Sequence, residues 1–148
     1  MRKILLPPVL LLLCVLAIIG TKYIGTPTYW HGGEWDIVGY SLIGLGILLP
    51  VWGARVFKKH ETNIIPYKSP DSMVTEGPFK FSRNPMYLGM LMVLIGAATL
   101  VGTKLGLIFP VIFFCIANWW YIPFEEMKMQ KVFGAKFDEY KADVRRWV

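Results

Sequence analysis

The chain has 148 residues, 55% of them hydrophobic, with two cysteines and a net charge of +6 at pH 7. Its apolar residues come in four charge-free blocks that are apolar all round, which sets aside a soluble helical core, whose helices would carry polar stripes. The basic excess is explained below by membrane topology and anionic headgroups, so no nucleic-acid partner is implied.

A helix needs about 20 mostly apolar residues to cross a bilayer, with about 17 workable. The first block, Ile4 to Ile19, follows Arg2-Lys3 and so resembles a signal peptide. It ends Ala17-Ile18-Ile19-Gly20-Thr21, without a small-x-small cleavage site, and Pro7 and Pro8 lie in its first turns, where proline costs little. It is assigned as a first span over about 4–20. The outer loop then carries Tyr23, Tyr29, Trp30 and His31, which suit an interfacial aromatic belt. His31 has no second histidine on its side of the membrane, His60 falling on the other, so no metal site is expected. The second span, about 36–57, holds Gly44, Gly46 and Gly53, small residues that let helices approach closely.

The segment from Phe57 to Asn84 is the longest polar stretch, punctuated by Pro66, Pro70, Gly77 and Pro78. Its apolar and aromatic content argues against disorder, and it is expected to fold over the inner mouth of the bundle. Asn84-Pro85 then opens a third span, about 85–103, with Asn84 a favoured N-cap and Pro85 suited to the first helical position. Val101-Gly102-Thr103-Lys104 makes a tight outer turn into a fourth span, about 105–124. Beyond it Met129, Phe133, Phe137, Tyr140, Val144 and Trp147 recur at helical spacing, which predicts an amphipathic helix over about 125–147, interrupted near Gly134. The fold expected is a single all-α polytopic membrane domain over 1–148. Its four transmembrane helices carry a cytoplasmic loop and a C-terminal helix that closes a pocket. Of the 16 lysines and arginines, all but Lys22 and Lys104 fall on the side of the termini, which places both termini in the cytoplasm.

Two polar patches sit at the cytoplasmic ends of spans: Gly77-Pro78-Phe79-Lys80-Phe81-Ser82-Arg83-Asn84-Pro85-Met86-Tyr87-Leu88-Gly89 and Glu125-Glu126. The third span begins on that side, so its positive N-terminal end, with Arg83 beside it, suits a carboxylate or phosphate. Two adjacent carboxylates at an interface need solvent or a cation. Phe79, Phe81, Tyr87, Trp119, Trp120 and Tyr121 supply rings between them. A ligand with a carboxylate, an ammonium, a sulfonium and a flat ring satisfies the set, and S-adenosylmethionine is such a ligand.

Those residues resemble the isoprenylcysteine carboxyl methyltransferase and phospholipid methyltransferase superfamily. The likeness runs through Met73 to Phe79, Arg83-Asn84-Pro85-Met86-Tyr87-Leu88-Gly89, Glu125-Glu126, Phe133-Gly134, Tyr140 and Val144-Arg145-Arg146-Trp147, and covers about Thr62 to Trp147. It implies a small helical membrane bundle that transfers a methyl group from S-adenosylmethionine to a lipophilic acceptor, without a metal. Gly77, Pro78, Phe79, Arg83, Asn84, Pro85, Tyr87, Leu88, Gly89, Glu125, Glu126 and Tyr140 would line the cofactor site. Arg145 or Arg146, with Glu126, would stand at the reacting end. Asn84 replaces the histidine of many members, and the chain ends one residue after Trp147, short of the tail of eukaryotic prenylcysteine enzymes. A short prokaryotic-type member acting on a lipid or lipophilic small molecule is expected. Two rivals remain at this point: a reductase of similar bundle using NADPH, with Arg145 and Arg146 on its 2′-phosphate, and a transporter or other non-enzymatic membrane protein. Ion-coupled transport usually leaves ionisable residues inside the spans, and no Asp, Glu, Lys, Arg or His stands in the four charge-free blocks, Ile37 to Ala54 being the second.

Overall fold

The computed structural model describes residues 6–24, 32–59 and 73–148. Tyr29, Trp30, His31, His60, Pro66 and Pro70 lie outside the described residues. Five helices make up the rest: α1 (Pro7–Ile24), α2 (Glu34–Lys59), α3 (Pro85–Val101), α4 (Leu105–Phe133) and α5 (Ala135–Asp143). A 3₁₀ turn, Gly77–Lys80, precedes α3. Helix α4 is continuous through a 3₁₀ first turn, an α segment, a π-helical turn at Ala117–Tyr121 and a second α segment. The chain is an integral multi-pass membrane protein: α1, α2 and α4 are each long and apolar enough to cross a bilayer.

Three sequence expectations change in detail. The third apolar helix has 17 residues, so α3 is about 26 Å long against a hydrocarbon core of about 30 Å, and it stands as a shorter apolar helix among three long ones. The fourth helix does not stop at Phe124 but runs on to Phe133, so Glu125 and Glu126 lie within a rigid helix. The last helix ends at Asp143, and Val144 is extended (φ −122°, ψ 129°), so residues 144–148 form a strap instead of a final helical turn.

Helix α3 is the centre of the bundle, with α2 along one side and α1 and α4 along the other. On the α1–α4 side the core is built from Leu10, Cys14 and Ile18 of α1, Tyr87, Leu94 and Ala98 of α3, and Phe113, Ala117, Tyr121 and Ile122 of α4. The α1 residues recur every fourth position, a narrow buried stripe on a helix whose other faces meet lipid. At the end away from the site, the hydroxyls of Thr21 and Thr103 bond each other. Gly102 (φ +68°) caps α3 in the left-handed conformation, as the turn at 101–104 predicts.

The α2–α3 contact is closer, because glycines face each other on both helices. Gly39 meets Gly96, and Gly46 meets Gly89, seven residues on along each helix in antiparallel register. A Cβ at Gly46 would stand 2.6 Å from the Gly89 carbonyl oxygen and 2.8 Å from the Val93 nitrogen, both backbone atoms that cannot swing aside. Pro50 has no N–H to give the carbonyl four residues back, that of Gly46, and a Cβ at Gly89 would stand 2.6 Å from that same oxygen and 2.5 Å from the Pro50 ring. Gly89 therefore serves helix packing, and this is where the structure places a residue expected in the cofactor site.

Gly46→Ala is expected to destabilise the protein by about 1–3 kcal/mol, the usual cost of overpacking a tight contact. Gly44, with nothing within 4 Å of its Cβ position, is the control, and Gly44→Ala should stay within about 0.5 kcal/mol of the parent. Thermal unfolding of both variants in the same detergent makes the comparison, and equal midpoints would mean that the two helices do not meet at these glycines.

Candidate active site

Four segments converge at the end of the bundle where α3 begins: the turn at 77–84, the start of α3, the second half of α4 and the strap. Gly77 (φ +60°) allows the turn, packed against Trp52 and Val56 of α2. Pro78 and Phe79 are buried there, with Phe79 edge-on to Phe57 at 5.0 Å. Pro85 then holds Asn84 out of helical geometry (φ −129°, ψ 53°). Asn84 occupies the N-cap position, but its side chain makes no cap bond. Its Nδ2 instead donates to the Arg146 carbonyl at 3.0 Å.

The turn holds the strap mainly by its backbone. The Arg83 amide donates to Arg145 O at 3.0 Å, and Ser82 Oγ reaches Arg146 O at 3.4 Å. Arg83 Nη1 donates to Lys141 O at 3.0 Å and Val144 O at 2.9 Å, capping carbonyls at the negative end of α5. Tyr140 pins the same helix from below by donating its hydroxyl to Phe79 O at 2.7 Å. At the elbow between α4 and α5, Gly134 (φ +53°) makes the bend, and Gln130, Asp138 and Lys141 tie its two sides together. Hydrogen bonds from Lys141 and Gln130 hold the exposed Asp138 carboxyl below the usual carboxylate range.

The two glutamates behave differently, because neighbours on a helix point about 100° apart. Glu126 faces the strap and is held between two guanidiniums, with Arg83 Nη2 at 3.0 Å and Arg146 Nη2 at 2.6 Å; Arg146 Nε adds a bond at 3.2 Å. Glu125 faces α3 and accepts the Tyr87 hydroxyl at 2.7 Å, and among the described residues it forms no ion pair. The buried Tyr87 ring stacks on Tyr121 of α4, with centroids 6.1 Å apart and planes 13° from parallel. Asn118, in the π-turn, accepts Trp147 Nε1 at 3.1 Å and Arg146 Nη1 at 3.4 Å on its amide oxygen.

Comparison with known families settles the class. Residues 35–136 match the phospholipid methyltransferase family, a stretch that takes in α2, α3, α4 and the glutamate pair. The chain belongs to the phospholipid methyltransferase family. It is also 33% identical over 63 residues to an uncharacterized protein of Haemophilus influenzae, covering 43% of this chain and 100% of that protein. The family lies in the wider superfamily that the sequence motifs resemble.

Within the family frame, the structure brings together Arg83, Asn84, Tyr87, Glu125, Glu126 and Arg146. Phe79 and Tyr140 support them one layer out. Pro78 and Pro85 are fully buried, Gly77 and Gly89 face α2, and Leu88 is half-buried with its amide in the α3 ladder. Arg145 is exposed and contributes its carbonyl, so Arg146 is the arginine that turns inward. Arg83, expected to meet the cofactor's carboxylate, gives both of its Nη atoms to Glu126 and to carbonyls, leaving Nε, a buried donor without an acceptor among the described residues. Ser82, read only as part of the polar patch, bonds the strap, Tyr121, expected among the rings, stacks on Tyr87, and Asn118 joins the site unforeseen. For Asn118 a signal existed: it carries the one amide side chain in the apolar stretch 105–124, and a buried amide needs a partner.

Burial pushes the Tyr140 phenol up to about 12 from its ordinary value of 10, against the pull of the Arg83 charge. The folded state thus favours the neutral, donating hydroxyl. Its contribution is complete below pH 10 and is lost as pH rises from about 10 to 12. Tyr140→Phe should cost about 1 kcal/mol near pH 7, where Phe79 O loses its donor, and should flatten the fall in stability above pH 10. Denaturant unfolding of both proteins at pH 8 and pH 11 measures this, and parallel losses on alkalinisation would remove Tyr140 as the source.

Proposed function

We propose that the protein transfers a methyl group from S-adenosylmethionine to a lipophilic acceptor at the cytoplasmic face of the membrane. The observation that carries this reading is the unequal glutamate pair. Glu126 is neutralised within the protein, whereas Glu125 forms no ion pair among the described residues, feels the more distant positive charge of Lys128, and stands beside two tyrosine rings. A group with dispersed positive charge suits that corner, by Coulomb attraction and by the faces of the rings. Arg83 Nε, the buried donor without a partner among the described residues, suits an anionic group. These residues therefore fit a cofactor that carries a sulfonium, an ammonium and a carboxylate. When bound, it supplies a methyl group on positively charged sulfur, ready for in-line displacement by a nucleophile.

The chain's own part is to bind, orient and exclude water. Tyr87 holds Glu125 by its hydroxyl, and the strap, tied to the turn at 82–84, covers the same end of the bundle. Trp119 and Trp120 are exposed on α4 six and five residues before Glu125, where a lipophilic acceptor can approach from the bilayer. A carboxylate acceptor needs no base, whereas an amine must lose a proton, and Glu125 is the carboxylate placed to take it. Of the two arginines that a nicotinamide 2′-phosphate could use, Arg146 is already held by Glu126, which weighs against the reductase reading.

In titration calorimetry the purified protein is expected to bind S-adenosylmethionine and not NADPH. Glu125→Gln should weaken that binding tenfold to a hundredfold, from about 1.5–3 kcal/mol for a lost charge-assisted contact, with little change in melting. Glu126→Gln should instead lower stability by roughly 3 kcal/mol, because it leaves two guanidiniums without their shared anion. Binding of NADPH in place of S-adenosylmethionine, or parent-like affinity of a folded Glu125→Gln protein, would sink this assignment. Membrane orientation is tested separately with reporter fusions. Those at 65 and 148 should report cytoplasm and those at 25 and 104 the opposite side, and a cytoplasmic signal at 25 would reverse the topology.

A further inference from the structure

The π-turn at Ala117–Tyr121 ends on one ring of the site, and it also decides which side chains of α4 meet the strap. In an α-helix two turns take about seven residues, so positions 118 and 126, eight apart, would diverge by about 80°. A π-turn absorbs one extra residue, and that brings Asn118 and Glu126 onto one face. Arg146 touches both: its Nη1 lies 3.4 Å from Asn118 Oδ1, while its Nε and Nη2 engage the two oxygens of Glu126. Trp147 Nε1 meets the same Asn118 oxygen at 3.1 Å. Arginine and tryptophan are donors only, so the amide must present its oxygen, whose two lone pairs serve both partners.

We propose that Asn118 is a positioning residue that anchors Arg146 and Trp147 of the strap, so that Arg146 neutralises Glu126 and leaves Glu125 without a guanidinium partner. This rests on the methyltransferase reading. Glu125 is the next residue along the helix from Glu126, and a long guanidinium side chain released from Asn118 can divide itself between the two carboxylates. The cation-binding corner at Glu125 would then be filled by the protein's own charge. Asn118 thus acts on the cofactor through Arg146 and does not touch it.

Two measurements on the full-length protein in detergent test this. With 5-fluorotryptophan at all six tryptophans, the Trp147 resonance is assigned from Trp147→Phe and read without any cofactor. Asn118→Leu keeps the volume but removes the acceptor, and should shift that resonance. Asn118→Asp keeps an acceptor oxygen and should leave it near the parent position. In calorimetry with S-adenosylmethionine, the Leu variant should bind about tenfold more weakly and the Asp variant within about threefold of the parent. A general loss of packing would not be rescued by Asp. An unmoved Trp147 resonance in the Leu variant overturns the proposal, as does a moved resonance with parent-like affinity. Should the Leu variant fail to fold, Trp147→Phe replaces it in the titration, and parent-like affinity there overturns the proposal equally. If the parent itself does not bind S-adenosylmethionine, the methyltransferase reading falls, while the fluorine spectra still decide whether Asn118 anchors the strap.

Discussion

Glu126 lies between the guanidiniums of Arg83 and Arg146, and the three groups belong to the turn before α3, to α4 and to the strap. A carboxylate at this depth, with its side chain 18% exposed, is costly unless its charge is matched. The match comes from two residues 63 positions apart in sequence, each fixed by its own neighbours: Arg83 by the carbonyls that end α5, Arg146 by Asn118. Because each partner is tied elsewhere, the ion triad closes the end of the bundle rather than merely decorating it. Removing its centre would leave like charges facing each other in a site shielded from water.

The same triad leaves the adjacent glutamate to a different set of neighbours. Helix α4 passes through the pair without a break, so the two side chains are held at a fixed angle and cannot exchange roles. Tyr87 reaches Glu125 because α3 is held in place on both sides, by the glycine contact with α2 and by the apolar core shared with α1 and α4. The placement of Tyr87 against Glu125 therefore depends on helix packing some distance from that contact. The glycine contact sets how deep α3 lies, and α3 carries Tyr87.

Much of this was legible in the chain. Asn84-Pro85 and Gly102 mark the two ends of α3, since proline cannot continue a helix backward and glycine accepts the left-handed cap. The family motifs placed Arg83, Tyr87 and the glutamates in one site. The extent of the fourth helix was not legible, because Glu125 and Glu126 read as the end of an apolar run, and hydropathy reports solubility in the bilayer rather than helical continuity. The other partners of Arg83 were not legible for a related reason. A guanidinium near a helix N-terminus suggests an anion, but its Nη donors meet Glu126 and the carbonyls of a segment about 60 residues away, which no local pattern reveals.

The sequence by itself determined the membrane class, the apolar blocks, the helix-ending residues and the family, because each depends on local composition or on short ordered motifs. Only the tertiary structure decided which glutamate the arginines hold, which arginine faces inward and what Asn118 bonds. The arginine choice follows from where the strap lies: the Arg145 carbonyl accepts the Arg83 amide while its side chain is exposed, and Arg146 turns to Glu126. The glutamate choice follows from where the strap and α3 lie around α4. Both are matters of direction, and direction is set by the packing of distant segments rather than by spacing along the chain.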